Sequence, residues 1–279
     1  MALSVVDLYA KILPRTNCGD CGYPTCIAFA GMVVSEKFPL KNCPHIAPDL
    51  LENAQAELDE QYAQGKWLKK DMAAEALSLA RQRAASTDLK EMAGRIGGTF
   101  EDGKAPGLFS GTSHIRLPYF NTSLLVSKER VADETGRELS RNEQTFVYIH
   151  LASGGTAPPT GNMKSLKEFP NTVSKIRSMQ DHVEAPLRNA FSGRMEELRT
   201  TCEQNGGADV KNRYESPDMA FQFRVFPKVY MTLLFWDARD GFDADAKLMF
   251  DDTILAHMDI EAMMFMSEHL CALLTSGGD

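Results

Sequence analysis

Basic charge is in short supply in this 279-residue chain: Lys and Arg total 30 against 38 Asp and Glu, a net charge of -8. Nucleic-acid binding needs clustered cations to displace counterions from phosphates, so it is not expected as the main business of such a surface. Also lacking is any apolar run long enough for a membrane span, so no membrane insertion is expected. The opening stretch MALSVVDLYAKILPR has no charged leader region and no small-residue cleavage site, and Asp7 interrupts its apolar part, so it does not read as a signal peptide. A disulfide framework is missing too. Four of the six cysteines crowd into the first 43 residues, while Cys202 and Cys271 stand alone far downstream. That asymmetry favours metal over disulfides and places the protein in a reducing cytoplasm, in a cell that lives with little oxygen.

Familiar catalytic signatures are equally absent. Gly155 and Gly161 enclose five residues, and Asn162-Met163 precede Lys164, so the spacing of a phosphate-binding loop fails and a plain turn leading into a helix is expected. The acidic run of Asp237, Asp240, Asp243, Asp245, Asp251 and Asp252 has Arg239 and Gly241 where a calcium loop needs ligands. It reads as a solvated loop before the last helix. The histidines at 45, 114, 150, 182, 257 and 269 show no paired metal spacing. His150, expected at a strand end beside the glycine turn, is the one to watch as a cofactor-facing group against ordinary packing. No Ser-His-Asp order, catalytic carboxylate pair or dinucleotide fingerprint is assignable.

What is present is C-x2-C-x4-C-x16-C-P, formed by Cys18, Cys21, Cys26 and Cys43. Three thiolates in one short loop wrap one face of a cubane, and a fourth returning after a helix reaches the remaining iron. Gly19 and Gly22 allow sharp turns after the first two ligands. Cys26 near a helix start puts the positive helix end towards the cluster's negative charge. The expected cofactor is one [4Fe-4S] cluster. A structural zinc also takes four thiolates but usually pairs two C-x2-C knuckles, and only one is here; plain structural thiols are the remaining alternative. Four-cysteine ligation leaves no open iron and suits electron transfer better than substrate binding.

Around that motif, Ser4 caps a short helix closed by Pro14, and Thr25 to about Phe38 reads as a second helix. Two connector helices are expected over roughly 48–63 and 66–93, broken at Gly65, followed by the glycine-rich loop EMAGRIGGTFEDGKAPGLFSG. The strand signal falls on HIRLPYF, TSLLVS, TFVYIHLAS, FQFRVF and KVYMTLLFW. SLKEF, about 181–202 and about 252–274 read as helices. The expectation is an α+β fold: a small, mostly helical cluster module at 1–48, a helical connector at 49–94, and a larger α+β domain at 95–279 with a mainly antiparallel sheet.

NCGDCGYPTCIAFA followed by NCP resembles the small cluster domain of the corrinoid iron-sulfur protein large subunit and of the B subunit of Rnf electron-transport complexes. The likeness covers about residues 1–48 and implies a low-potential cluster passing single electrons, held by Cys18, Cys21, Cys26 and Cys43. FVYIHLASGGTAPPTGNMKSLKEFP and FRVFPKVYMTLLFWDARDGFDADAKLMFDD resemble the family known as domain of unknown function 3786, over about residues 95–279. That likeness implies an association with anaerobic metabolism and no particular activity. The leading expectation is therefore an electron-transfer protein serving a redox partner, a corrinoid protein being one candidate, with Arg15, Lys37 and Lys41 balancing cluster charge or guiding docking. An enzyme with its active site in the second domain, fed by the cluster, and a redox sensor are the alternatives.

Overall fold

The computed structural model describes residues 3–64, 72–104, 107, 109–153, 155–239 and 241–276. Gly65 and the start of the second connector helix lie outside them, as does Asp240. The chain divides into two units, Met1–Met72 and Ala73–Asp279. Among the described residues no helix is long and apolar enough to cross a membrane.

In the first unit Ser4 and Asp7 form a reciprocal cap on α1 (Val5–Asp7), which runs on through one wide turn, Leu8–Ile12. Helix α2 (Cys26–Glu36) follows the cysteine loop, and a single 3-10 turn, Leu40–Asn42, leads into Cys43. Helix α3 (Pro48–Ala63) starts on a proline, whose missing N–H costs nothing in a first helical turn. Leu8, Leu13, Phe29, Val33, Leu40 and Leu58 are buried together. Cys26 and Cys43 belong to the same core, so the apolar cluster forms one wall of the cysteine site.

The second unit opens with α4 (Met72–Ala85) and α5 (Leu89–Ile96). A four-stranded antiparallel sheet follows in the order β1 (Thr99–Glu101), β2 (His114–Tyr119), β3 (Thr122–Val126), β4 (Val131–Asp133). After α6 (Arg141–Ser153) come β5 (Met163–Ser165), α7 (Val173–Met179), α8 (Ala185–Phe191) and α9 (Met195–Gln204). Then follow β6 (Gly207–Asp209), β7 (Met219–Phe226), β8 (Val229–Trp236), β9 (Asp245–Asp251) and the long α10 (Ile260–Thr275). The second sheet has the antiparallel order β5-β9-β8-β7-β6, with Phe223 opposite Met231 and Leu233 opposite Leu248. The register of β7 shifts between Arg224 and Phe226. At that irregularity the Val225 carbonyl accepts the N–H of Phe120 at 3.1 Å, tying the two sheets together. One apolar core, including Phe146, Phe221, Phe226, Phe235, Met263 and Leu270, serves both sheets and the helices against them. The fold is α+β, as the strand and helix signals predict.

Several elements depart from the sequence reading. TFVYIHLAS is helix, not strand: every residue from Glu143 to Tyr148 is buried in α6, so the segment carries no polar face to betray a helical period. Its aromatic and β-branched content reports burial rather than extension. EMAGRI belongs to α5 rather than to a loop, with Asp88 accepting the Glu91 N–H at 2.8 Å and Gly97, at φ 83°, ending the helix in the left-handed form. The connector expected as one helix over 66–93 is, in its described part, the two helices α4 and α5. The stretch from 181 to 202 is also broken, by a wide turn at Gln180–Glu184 and by Gly193 between α8 and α9. SLKEF forms only a 3-10 turn, Leu166–Glu168. The last helix begins at Ile260 because Asp259, accepting the Ala262 N–H at 2.9 Å, is its cap.

Candidate metal centre

The loop between the first helix and α2 is shaped by its backbone. Arg15 and Asn17 have φ of 59° and 50°, and Gly19 and Gly22 have φ of 83° and 85°. The Gly22 N–H bonds back to the Gly19 carbonyl at 2.8 Å, closing a turn between Cys18 and Cys21 that a side-chain-bearing residue would strain. Thr25 caps α2 through the Ala28 N–H at 3.2 Å, which sets Cys26 as the first helical residue. The Cys26 N–H is in turn accepted by Asn17 Oδ1 at 2.8 Å, pinning the start of the loop to the start of the helix. Tyr23, Phe29 and Phe38 pack edge to face or tilted behind it, with ring centroids 5.4–6.1 Å apart.

The four thiols grade from outside to inside. Cys18 is exposed, Cys21 half-buried, and Cys26 and Cys43 buried. Burial pushes the Cys43 thiol above its ordinary range, and charge on Cys21, Cys26 and Cys18 pushes it the same way. Cys43 thus lies near enough to the other three to feel their charge. A buried thiol surrounded by three others suits a cation-rich centre that neutralises its charge. The chemistry fits an iron-sulfur group: sulfur donors, an apolar wall and the positive end of a helix.

Sequence reasoning missed three residues here. Asn17 is one. The others are Asp20 and His45, whose Oδ2 and Nε2 lie 2.6 Å apart beside Cys18. That contact first, and the Cys18 thiol second, hold the Asp20 carboxyl below its usual range. Among the described residues, Cys18, Asp20 and His45 bring one donor atom each within 4.8 Å of the others, all exposed. Their positions were a usable signal, since Asp20 lies inside the first C-x2-C and His45 two residues beyond Cys43. Arg15, Lys37 and Lys41 are exposed, and the Lys37 ammonium sits 5.3 Å from the Tyr62 ring centre.

The other candidates resolve into structure. His150 lies inside α6, fully buried, stacked on Phe226 at 4.4 Å between centroids and donating from Nδ1 to the His257 carbonyl at 3.2 Å. It packs as a core ring whose Nε2 is buried without a hydrogen-bond partner among the described residues. Burial lowers its pKa to about 3. The acidic run is not a free loop, since Asp245–Asp251 is strand β9. Asp251 is buried and accepts from Gly161 N at 2.7 Å, Thr253 N at 3.1 Å and Thr253 Oγ1 at 2.6 Å. Asp252 accepts from Thr160 Oγ1 at 2.6 Å and Asn162 Nδ2 at 2.9 Å. These bonds fasten the glycine turn to the end of β9, so that turn leads into strand β5 and not into a helix. Cys202 and Cys271 are buried in the core of the second unit.

Comparison with known proteins separates the two parts of the chain. A family model described as "Domain of unknown function (DUF3786)" matches residues 88–273, and one described as "Putative Fe-S cluster" matches residues 13–45. The curated relatives match the amino-terminal part. The corrinoid/iron-sulfur protein large subunit of Moorella thermoacetica is 47% identical over 47 residues, 17% of this chain and 10% of that protein. The acetyl-CoA decarbonylase/synthase complex subunit gamma of Methanocaldococcus jannaschii is 45% identical over 42 residues, 15% of this chain and 8% of that protein. Its counterpart in Methanothermobacter thermautotrophicus is 37% identical over 49 residues, 18% and 10% of the two chains. The chain thus spans a tenth or less of the length of these relatives. No solved structure matches it.

Proposed function

We propose that this chain, which belongs to the DUF3786 family, is an iron-sulfur protein of anaerobic metabolism that holds one [4Fe-4S] cluster on Cys18, Cys21, Cys26 and Cys43 and passes single electrons at low potential to a protein or cofactor partner. The observation that carries the reading is the placing of Cys43, buried, near the thiols of Cys18, Cys21 and Cys26 around the start of α2, with Cys18 exposed. The cluster supplies a one-electron couple. The chain's own contribution is positional. Asn17 and Thr25 fix the loop and helix start, the positive helix end favours the negative charge of the bound centre, and the apolar wall of Phe29, Val33 and Leu40 keeps water from one side. Exposure at Cys18 gives a partner close approach, and Arg15, Lys37 and Lys41 favour an acidic one. The relatives' names, corrinoid/iron-sulfur protein and acetyl-CoA decarbonylase/synthase subunits, make a corrinoid protein the leading partner class. Residues 1–48 form the cluster module in this reading, 49–94 the connector, and 95–279 the part that selects the partner.

Anaerobic reconstitution tests this directly. About four irons and four sulfides per chain, with absorbance that bleaches reversibly on dithionite, is the expected result. One zinc and no iron, or unchanged iron binding in Cys21→Ser and Cys43→Ser, overturns it.

A further inference from the structure

Residues 15–20 are all exposed, so the arm that carries Cys18 has no apolar anchor in the core beneath it. The arm that carries Cys43 is different, since Cys43 and Ile46 are buried in the apolar cluster of the first unit. Hydrogen bonds therefore hold the first arm in place. At one end Asn17 Oδ1 accepts the Cys26 N–H at 2.8 Å. At the other, Asp20 Oδ2 accepts from His45 Nε2 at 2.6 Å, across 25 residues of chain. Cys18 lies between these two fixings.

His45 also holds the second arm, because its backbone N–H donates to the Cys43 thiol. The Asp20 carboxylate in turn lies against the Cys18 thiol. The run of contacts Cys18, Asp20, His45, Cys43 thus joins an exposed donor of the set to a buried one. Among the described residues no other side-chain hydrogen bond links the two arms. The His45 and Asp20 side chains are 46% and 52% exposed. At that exposure the pair adds little to global folding, and its effect falls on local opening of the arm.

We propose that Asp20 and His45 are positioning residues that form a clasp: the pair holds the exposed arm against the Cys43 arm, keeps Cys18 at the metal centre and slows the loss of iron. The clasp rests on the iron-sulfur reading above. Its test uses the full chain, reconstituted anaerobically, with iron release to a ferrous chelator followed by absorbance. Asp20→Ala and His45→Ala should each release iron about threefold faster than wild type, the scale of an exposed pair. The double variant should be no faster than the single ones, since each removes the same contact. Asp20→Asn should release at the wild-type rate, because its carboxamide oxygen still accepts the Nε2 N–H. Urea midpoints of the cluster-free proteins should coincide, which separates a local clasp from general loosening. An alanine variant that takes up no iron, while Asp20→Asn loads fully, supports the clasp as well. Wild-type release in both alanine variants, additive effects in the double variant, no rescue by Asp20→Asn, or faster release that only follows a lowered urea midpoint each overturns the clasp and leaves the cluster reading standing. A wild-type chain that holds no iron overturns both.

Discussion

Asn17 Oδ1 accepts the N–H of Cys26 at 2.8 Å, so the residue before the first cysteine holds the third one in place. The bond also satisfies a donor at the start of α2 that has no partner within the helix. Asn17→Ala removes it, and loss of such a part-buried bond costs about 1–2 kcal/mol. The expected outcome is iron content after reconstitution below half that of wild type, with Asn17→Asp restoring it because a carboxylate still accepts. Equal iron in wild type and Asn17→Ala would show that the loop does not need this bond.

His150 makes stability depend on acid. Its pKa is lowered to about 3 in the fold, by burial, against an ordinary 6.5. The unfolded chain therefore binds the extra proton in the window between those values. Stability contributed by the neutral ring is complete above 6.5 and declines as pH falls towards 3, by up to about 1.4 kcal/mol per pH unit. Urea unfolding at pH 7, 6 and 5 should show that slope in wild type, and His150→Phe should flatten it by about one proton's worth. The same slope in both proteins would assign the dependence to other groups.

Asp251 acts as a clamp for the turn at 160–162 and needs no ion, since its oxygens are filled by backbone and hydroxyl donors. Asp251→Ala leaves those buried donors unmet and should lower unfolding free energy by about 2–4 kcal/mol. Millimolar calcium should leave the wild-type melting temperature unchanged. A calcium-dependent rise of several degrees would mean that the acidic run binds the ion after all.

Thiol reactivity should divide the cysteines in two. Burial pushes the Cys271 thiol up to about 11 and Cys202 further still. Neither forms thiolate at neutral pH, and neither is exposed. Native, cluster-free protein treated with iodoacetamide should gain label only among Cys18, Cys21, Cys26 and Cys43, as read by peptide mass spectrometry. Rapid labelling at Cys202 or Cys271 would show that the second unit opens readily.

Legibility followed the range of the interactions involved. The cysteine spacing, the cap at Ser4, the second helix from about Thr25 and the strand pairs FQFRVF and KVYMTLLFW were readable because each signal lies within a few neighbouring residues. The helix over TFVYIHLAS was not, because burial on nearly every side removed the polar face that marks a helical period. The short strands β4, β5 and β6 were invisible for a related reason: three residues carry too little alternation to read.

The candidate site divides in the same way. Which thiols come close follows from loop length and glycine positions, written locally between Cys18 and Cys26. Which side chains flank them does not: the pairing of Asp20 with His45 spans 25 residues. In the second unit the disparity is greater, since Tyr119, Glu143 and His269 come from a strand and two helices separated along the chain. Sequence by itself determined the cysteine spacing, the two-part organisation of signals and the α+β class. Tertiary structure alone decided the burial of His150 against Phe226, the closing of Asp251 on a turn and the burial of the Glu143 side chain near Tyr119. The reason is physical: thiolate spacing is set by a few backbone torsions, whereas burial and charge pairing depend on which distant segments the core brings together.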